Sequence, residues 1–585
     1  MKINERIEEL RKKMDEENID VYLVTTSDFH ESEYLCNFFK TREYISGFTG
    51  SAGTVLIFKD ESCLWADGRY HVQAEKQIQG TEIKLFKEGL KNVPSYKEYI
   101  SKKFTENFIL GCDTRLVSCN KIKELLSLDN IIIKDTDLIS KIWKDRPSLP
   151  KEKIFVLEQK YFGVDCKEKI TKIRDYLKQS NAEYNIVTNL DDIAWIYNFR
   201  GRDIKNNPVA LSFTIISNKE TYLYIDKEKI DERYMNYFLE NEIKIKDYFE
   251  FFDDIKKIKN ASIIIDENKT SYYIYSHLKD GNKIINKINP STYIKAHKND
   301  IEIKNTVEAH IEDGIALTKF MYWIKNNYDK NISEYEAGIK IDNLRKEIED
   351  FIEPSFDTIS AYNENAAMMH YRASEHGSAI IGEGVLLLDS GGQYLRGTTD
   401  TTRTFFLGNV DNEIKIHNTL VLKGMLALSR AKFLYGATGT NLDILARQYL
   451  WQNLIDYKCG TGHGVGHILN VHEGPHGIRF QINTQRLEEN MVVTNEPGVY
   501  ITNSHGIRIE NELLVKVFDE NIHGKFMCFE TLTYVPIDID GIVVSMLNDE
   551  EKHQLNEYHK NVYDKLAPHL NEEEKEFLKK YTKNI

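Results

Sequence analysis

The order of apolar and polar positions changes rhythm along the chain. In MKINERIEELRKKMDEENID, Ile3, Ile7, Leu10 and Met14 recur every three or four residues, which predicts an amphipathic first helix. From there to about residue 250, short apolar runs are punctuated by Gly and Asp turns, a pattern of strands alternating with helices. Residues 21–78 contain VYLVTTSDFHESEYLCNFFKTREYISGFTGSAGTVLIF and LWADGRYHVQAEKQI. Residues 186–235 contain IVTNLDDIAWIYNFRGRDIKNNPVALSFTIIS and TYLYIDKEKIDERY. Both run strand, Asp-containing turn, helix, Gly turn, two strands, then a turn opening a helix. Identity between them is low, so the shared spacing predicts an internal repeat, with two unrelated α/β domains as the alternative. DRPSLP (145–150) carries two prolines within four residues and predicts the linker between the copies.

A third unit is expected from about Lys295. Ile303, Val307, Ile311 and Ile315 form one stripe of a long helix. A second helix begins at Ser333, where Glu336 completes a capping box, and its apolar face is Ile341, Leu344, Ile348 and Phe351. Two further helices are expected at about 413–433 and 441–455, with β-rich segments between and after them. The tail from about 541 to 585 is charged and helical, and reads as a solvated appendage.

A chain of 585 residues exceeds what one core can serve, consistent with several domains. Lys+Arg of 77 against Asp+Glu of 91 gives a net charge of −14, and no basic stripe interleaved with aromatics is present. Both features argue against nucleic acid as a partner. No apolar run reaches the ~18 residues that would span a bilayer, and the charged N-terminus has no apolar signal segment. The seven cysteines form no C-x-x-C pair. The expectation is a reduced, cytoplasmic protein with no membrane partner.

Five metal-binding side chains follow one another in glycine-punctuated segments of the third unit: Asp389 in LLLDSGG, Asp400 in GTTDTTRT, His463 in GTGHGVGH, Glu496 in VVTNEPG and Glu510 in HGIRIENELL. Each has an ordinary explanation by itself. Asp389 can form an Asx-turn, Glu496 can serve the Pro497-Gly498 turn, and Glu510 can lie on a solvated strand face opposite Ile507 and Ile509. The pair Asp389 and Asp400 changes the balance. They lie eleven residues apart across a Gly-Gly-Gln turn that can fold one strand beside the other, and the two carboxylates would repel unless a cation sat between them. Four carboxylates and one imidazole suit two divalent ions, Mn²⁺ or Co²⁺ rather than a thiolate-held structural Zn²⁺. Two ions sharing carboxylates can hold a bridging hydroxide, so the set reads as a hydrolase centre. The glycines around His463 do not match a nucleotide loop; they are expected to let the backbone approach an ion or substrate. His370, after Met368-Met369, and His472, in NVHEGPHG, are candidates for proton or oxyanion chemistry, or simply packed histidines.

With these residues in hand, the chain resembles the proline-specific pita-bread metallopeptidases, and most closely the three-domain aminopeptidase P type. The resemblance runs through SEYLCNFFKTREYISGFTGSAGT, WADGRYHVQAE, NLDDIAWIYNFRGRDIKNNPV, DSGGQYLRGTTDTTRT, NVHEGP and the five ligand segments. It implies an α/β (α+β) chain: two related creatinase-like N-terminal α/β domains (1–148 and 149–296) and a C-terminal pita-bread catalytic domain (297–585). It also implies two Mn²⁺ ions, or Co²⁺ or Zn²⁺, on Asp389, Asp400, His463, Glu496 and Glu510, with a bridging hydroxide attacking the bond before proline. Glu496 would also accept a proton from the water. His370 and His472 would orient the carbonyl and stabilise the oxyanion, and Arg508 would support the proton network. Arg69 in DGRY would contact peptide, a salt-bridged turn residue being the alternative. The implied partners are peptides with a penultimate proline and a second copy of the chain in a homodimer. One departure is visible: Cys459 stands where many relatives have a histidine, which predicts tuned activity and sensitivity to oxidation or soft metals.

Two rivals remain open from the residues. A prolidase would cut only Xaa-Pro dipeptides, but usually carries a single N-terminal domain. A non-catalytic peptide- or protein-binding member would have lost metal ligands, whereas all five are present here.

Overall fold

The structure, a computed structural model, describes residues 1–585. It divides into two compact units. The first comprises Met1–Leu157, Asp165–Lys205 and Val209–Ser291; the second comprises Glu158–Val164, Asn206–Pro208 and Thr292–Ile585.

The first unit is built on two six-stranded sheets. One has the order Ile83–Lys87, Ser62–Ala66, Thr54–Phe58, Val21–Thr25, Phe108–Cys112, Ile131–Asp135. The other has the order Ile243–Lys246, Thr221–Ile225, Ser212–Ser217, Tyr184–Val187, Ser262–Ile265, Lys283–Asn286. In each sheet the first strand in sequence pairs antiparallel with the second, which pairs antiparallel with the third. All three remaining pairings are parallel. Two sheets with one topology establish the repeat that the spacing predicted. Parallel neighbours need a crossover, and the short helices between these strands supply it. The first helix, Ile3–Glu16, buries Ile7, Leu10 and Met14. Residues 146–154, containing most of DRPSLP, have no regular structure.

The second unit lays helices against β-sheet. A six-stranded sheet has the order Phe433–Leu434, Gly524–Thr531, Asn511–Asn521, Val492–Asn495, Gly462–Gly464, Glu473–Ile478. A three-stranded sheet joins Ile359–Tyr362, Gly384–Ser390 and Thr401–Leu407, and a ribbon pairs Gly498–Ile501 with His505–Arg508. Helices Asn412–Ser429 and Gly439–Trp451 lie close to the expected spans. No helix is long and apolar enough to cross a membrane.

Three expectations are corrected here. The stripe Ile303, Val307, Ile311 and Ile315 on helix Asp300–Lys325 is only half-buried, while Glu302, Asn305, Thr306, His310 and Asp313 are buried. The helix turns its polar side inward because that side meets charged partners: Asp313 accepts from Arg345 Nε at 2.7 Å and from Tyr394 Oη at 2.6 Å. The second helix starts as expected with the Ser333–Glu336 box but ends at Lys346. Phe351 belongs instead to strand Phe351–Pro354, paired with Gly392–Tyr394. The tail is not a solvated appendage. Helix Asp549–Leu566 buries Leu555, His559, Val562 and Leu566, and the half-buried Ile311 and Ile315 pack into that cluster. Tyr558 Oη accepts from Arg403 Nη2 at 2.8 Å, and Glu551 pairs with Lys423 at 2.6 Å.

Candidate metal centre

Asp389 is the penultimate residue of strand Gly384–Ser390, and Asp400 immediately precedes the antiparallel strand Thr401–Leu407. The register pairs Asp389 with Thr402, so the hairpin brings the two carboxylates to one end of the sheet. His463 is the middle residue of strand Gly462–Gly464. The flanking glycines serve packing rather than ligand approach. A Cβ at Gly462 would collide with the Thr494 carbonyl oxygen, and one at Gly464 with that of Glu473. Glu496 follows strand Val492–Asn495, with its N–H donated to Thr461 O at 2.7 Å. Glu510 sits where ribbon strand His505–Arg508 gives way to strand Asn511–Asn521, so the expected single strand is broken there. The alternation survives the break: Ile507 and Ile509 enter an apolar core, while Glu510 is 1% exposed and is no part of a solvated face.

Ligand atoms of Asp400, His463 and Glu510 all lie within 4.8 Å of one another. His463 Nε2 is 3.4 Å from an Asp400 oxygen and 3.5 Å from a Glu496 oxygen. Its Nδ1 lies 2.9 Å from the Gly464 carbonyl oxygen, which holds a proton on Nδ1 and turns Nε2 toward the carboxylates. Asp389 is tied to Arg508 through one oxygen, while its buried Oδ1 has no hydrogen-bond partner. An orphaned carboxylate oxygen beside converging Asp, His and Glu ligands is what a divalent ion would satisfy, so the residues fit a metal.

The electrostatics agree. Burial raises Glu510 well above the usual carboxylate range, and the charges of Asp400, Glu496 and Asp389 raise it further. Burial also raises Glu496, against the lowering effect of His463 and Arg508, and raises Asp389 against Arg508. For His463 burial opposes protonation, but Asp400 and Glu496 outweigh it and lift the imidazole to about 9. All four groups therefore bind protons more tightly folded than unfolded. A raised histidine value gives stability that is full below ~6.5 and lost as pH rises through about 9; raised carboxylate values destabilise the charged folded form as pH rises. Divalent ions would replace those protons. The thermal midpoint of chelator-treated protein is thus expected to fall relative to Mn²⁺-loaded protein between pH 6.5 and 9, measured by scanning calorimetry at matched pH. A gap that narrows over that range would refute the electrostatic account.

Residues that the sequence did not single out hold this arrangement. Thr402 Oγ1 donates to Glu510 at 2.7 Å and accepts from Arg508 Nε at 3.0 Å. Arg508 Nη1 donates to Tyr500 Oη at 2.6 Å. Glu512 Oε1 accepts the Asp400 N–H at 2.7 Å, while its Oε2 lies 3.2 Å from His310 Nε2. Glu512 carried a faint signal, two residues after Glu510 on the same face; His310 carried none. The structure brings His472 to the centre, its ring edge-on to His463 at 4.3 Å between centroids. His370 lies on a turn after the 3₁₀ segment Asn363–Ala367, which packs against ribbon strand His505–Arg508. Arg69 belongs to the first unit, where its guanidinium is held by both oxygens of Asp67. Burial and the charge of Glu496 push the Cys459 thiol up to about 11. The side chain is half-buried beside an apolar core, and its burial disfavours the thiolate.

The fold is that of a metallopeptidase. Residues 304–517 match the model described as metallopeptidase family M24, and 525–585 match the C-terminal region of that peptidase. Residues 6–141 and 145–302 each match the creatinase/prolidase N-terminal domain. Xaa-Pro aminopeptidase 1 of Dictyostelium discoideum is 38% identical over 97% of this chain and 93% of its own. A probable Xaa-Pro aminopeptidase P of Tuber melanosporum is 39% identical over 96% and 95%. The chain belongs to the Xaa-Pro aminopeptidase P family. A crystal structure of X-prolyl aminopeptidase from Caenorhabditis elegans, described as a cytosolic enzyme with a di-nuclear active site, superposes over 100% of both chains with TM-score 0.95 and 33% identity. An Xaa-Pro dipeptidase from Bacillus anthracis matches over 99% of its own length but 64% of this chain, with TM-score 0.50 and 25% identity.

Proposed function

We propose that the protein is a metal-dependent aminopeptidase that releases the N-terminal residue from peptides with proline in second position. The observation that carries this reading is the convergence of Asp400, His463 and Glu510 ligand atoms within 4.8 Å, on a chain related to Xaa-Pro aminopeptidases along nearly its whole length. Asp389, Asp400, His463, Glu496 and Glu510 would hold two divalent ions, Mn²⁺ by the hardness of the ligand set, with Co²⁺ or Zn²⁺ as alternatives. When bound, such ions would supply a hydroxide nucleophile at neutral pH and polarise the scissile carbonyl. Glu496 accepts a proton during attack and returns it to the leaving proline nitrogen. His472 and His370 orient the carbonyl and donate to the developing oxyanion. Arg508 holds Asp389 in place and is itself aligned by Tyr500 and Thr402. Arg69 contacts peptide, its guanidinium aligned by Asp67. The domains are 1–148, 149–296 and 297–585, and the working form is a cytoplasmic homodimer.

Proline explains the substrate rule. The bond before it is a tertiary amide with no N–H and a fixed φ, so a site cannot grip it as an ordinary extended strand. Selection must rest on the ring and on the free amino group, which an acidic centre attracts. Incubation of metal-loaded enzyme with a peptide panel, read by mass spectrometry, is expected to show Xaa released from Xaa-Pro-Yaa. Xaa-Ala-Yaa should be cut poorly and N-acetylated Xaa-Pro-Yaa not at all. Tripeptides should be cut at least as readily as Xaa-Pro dipeptides, since the Bacillus anthracis dipeptidase matches only 64% of this chain. Exclusive dipeptide cleavage would make it a prolidase; efficient cleavage of acetylated peptides would end the aminopeptidase reading.

A further inference from the structure

We propose that Glu473, clamped between Lys295 and Lys298, is a positioning residue that fixes His472 against the metal centre. The inference rests on the assignment of His472 to the chemistry. Glu473 is the next residue along the chain and opens strand Glu473–Ile478. One of its oxygens accepts from Lys295 Nζ at 2.6 Å, and the other accepts from Lys298 Nζ. Lys298 Nζ also donates to the Lys295 carbonyl oxygen at 3.1 Å, and the Lys298 N–H donates to Asn490 O at 3.0 Å. All three charged side chains are buried. On the strand, Glu473 is in register with Gly464, the neighbour of His463. The clamp therefore joins the end of helix Pro290–Ala296 and the residues that follow it to the backbone flanking both histidines.

A carboxylate shared by two buried ammoniums is an expensive way to fill space, because desolvating three charges costs more than apolar packing of the same volume. What it provides is position. Charge-assisted bonds to both oxygens pin the carboxylate and so tether the chain at Glu473, next to His472. Reactivity is steep in position: a misplacement of about 1 Å in a catalytic group can cost roughly 10²-fold.

The test compares kcat and KM on an Xaa-Pro-Yaa tripeptide for metal-loaded Glu473→Gln, Lys298→Met and His472→Ala, and for each clamp change combined with His472→Ala. Lys298→Met leaves the Lys295–Glu473 pair one-to-one and keeps the test usable if Glu473→Gln does not fold. The clamp variants should retain their metals, lower kcat by about 10- to 100-fold and leave KM within about twofold. Added to His472→Ala, they should slow turnover by less than about twofold, because a residue acting only through His472 has nothing left to position. If they slow the His472→Ala enzyme as much as the unmodified one, Glu473 serves the fold and the proposal fails while the role of His472 stands. Full activity in His472→Ala itself would remove both.

Discussion

Replacing Asp400 by alanine is expected to give a folded protein that has lost at least one divalent ion and cleaves Xaa-Pro-Yaa peptides at least ~10³-fold more slowly, a loss of ~4 kcal/mol of transition-state stabilisation. The size follows from position. Asp400 contributes a ligand atom to the group converging within 4.8 Å and lies 3.4 Å from His463 Nε2. The fold should tolerate the change, because the structural bond at this position is made by the backbone: Asp400 N–H to Glu512. Removing one carboxylate from a crowded anionic cluster also relieves repulsion on Glu510. Metal content by plasma emission, melting temperature and turnover together make the test. Chelation should abolish hydrolysis in the unmodified enzyme and Mn²⁺ or Co²⁺ should restore it. An Asp400→Ala enzyme with full activity would show that no dinuclear centre drives the reaction.

The second large effect is expected at His472. Its ring lies edge-on, 4.3 Å from that of the candidate ligand His463. Loss of one preorganised oxyanion donor typically costs ~10²–10³ in kcat. His472→Ala should therefore keep both ions and an unchanged melting temperature while turnover collapses, and His370→Ala should behave alike. A donor used chiefly in the transition state lowers kcat and kcat/KM together, with little change in KM. Reduced metal content with kcat per bound metal unchanged would instead make His472 a support for the ligand His463.

The candidate ligands could be picked out because their signal is local. Asp389 and Asp400 are eleven residues apart at the adjoining ends of two antiparallel strands, and the alternation around Glu510 put Arg508, Glu510 and Glu512 on one face whatever lay beyond it. The duplicated first unit was legible for a similar reason, since turn chemistry and strand spacing repeat even where identity does not. The errors share a cause. An apolar stripe says that a helix face is covered, not by what. Ile311 and Ile315 wait for the C-terminal helix, while the deeper face of their own helix is polar because Asp313 meets Arg345 and His310 meets Glu512. The charged tail read as solvated because its apolar residues are sparse, and only packing shows that Leu555, Val562 and Leu566 are enough to seat it.

By itself, then, the sequence determined the candidate ligand types and their order, the repeat and the helix caps, all set by interactions within a few residues. Tertiary structure alone decided which acidic side chains converge on His463, that Arg508 belongs to Asp389, that Glu512 holds the backbone of Asp400, and that Lys295 and Lys298 grip the residue beside His472. The last three pairings span more than a hundred residues, and long-range partners are chosen by burial: a charge removed from water must find its counter-charge wherever the packed chain brings one.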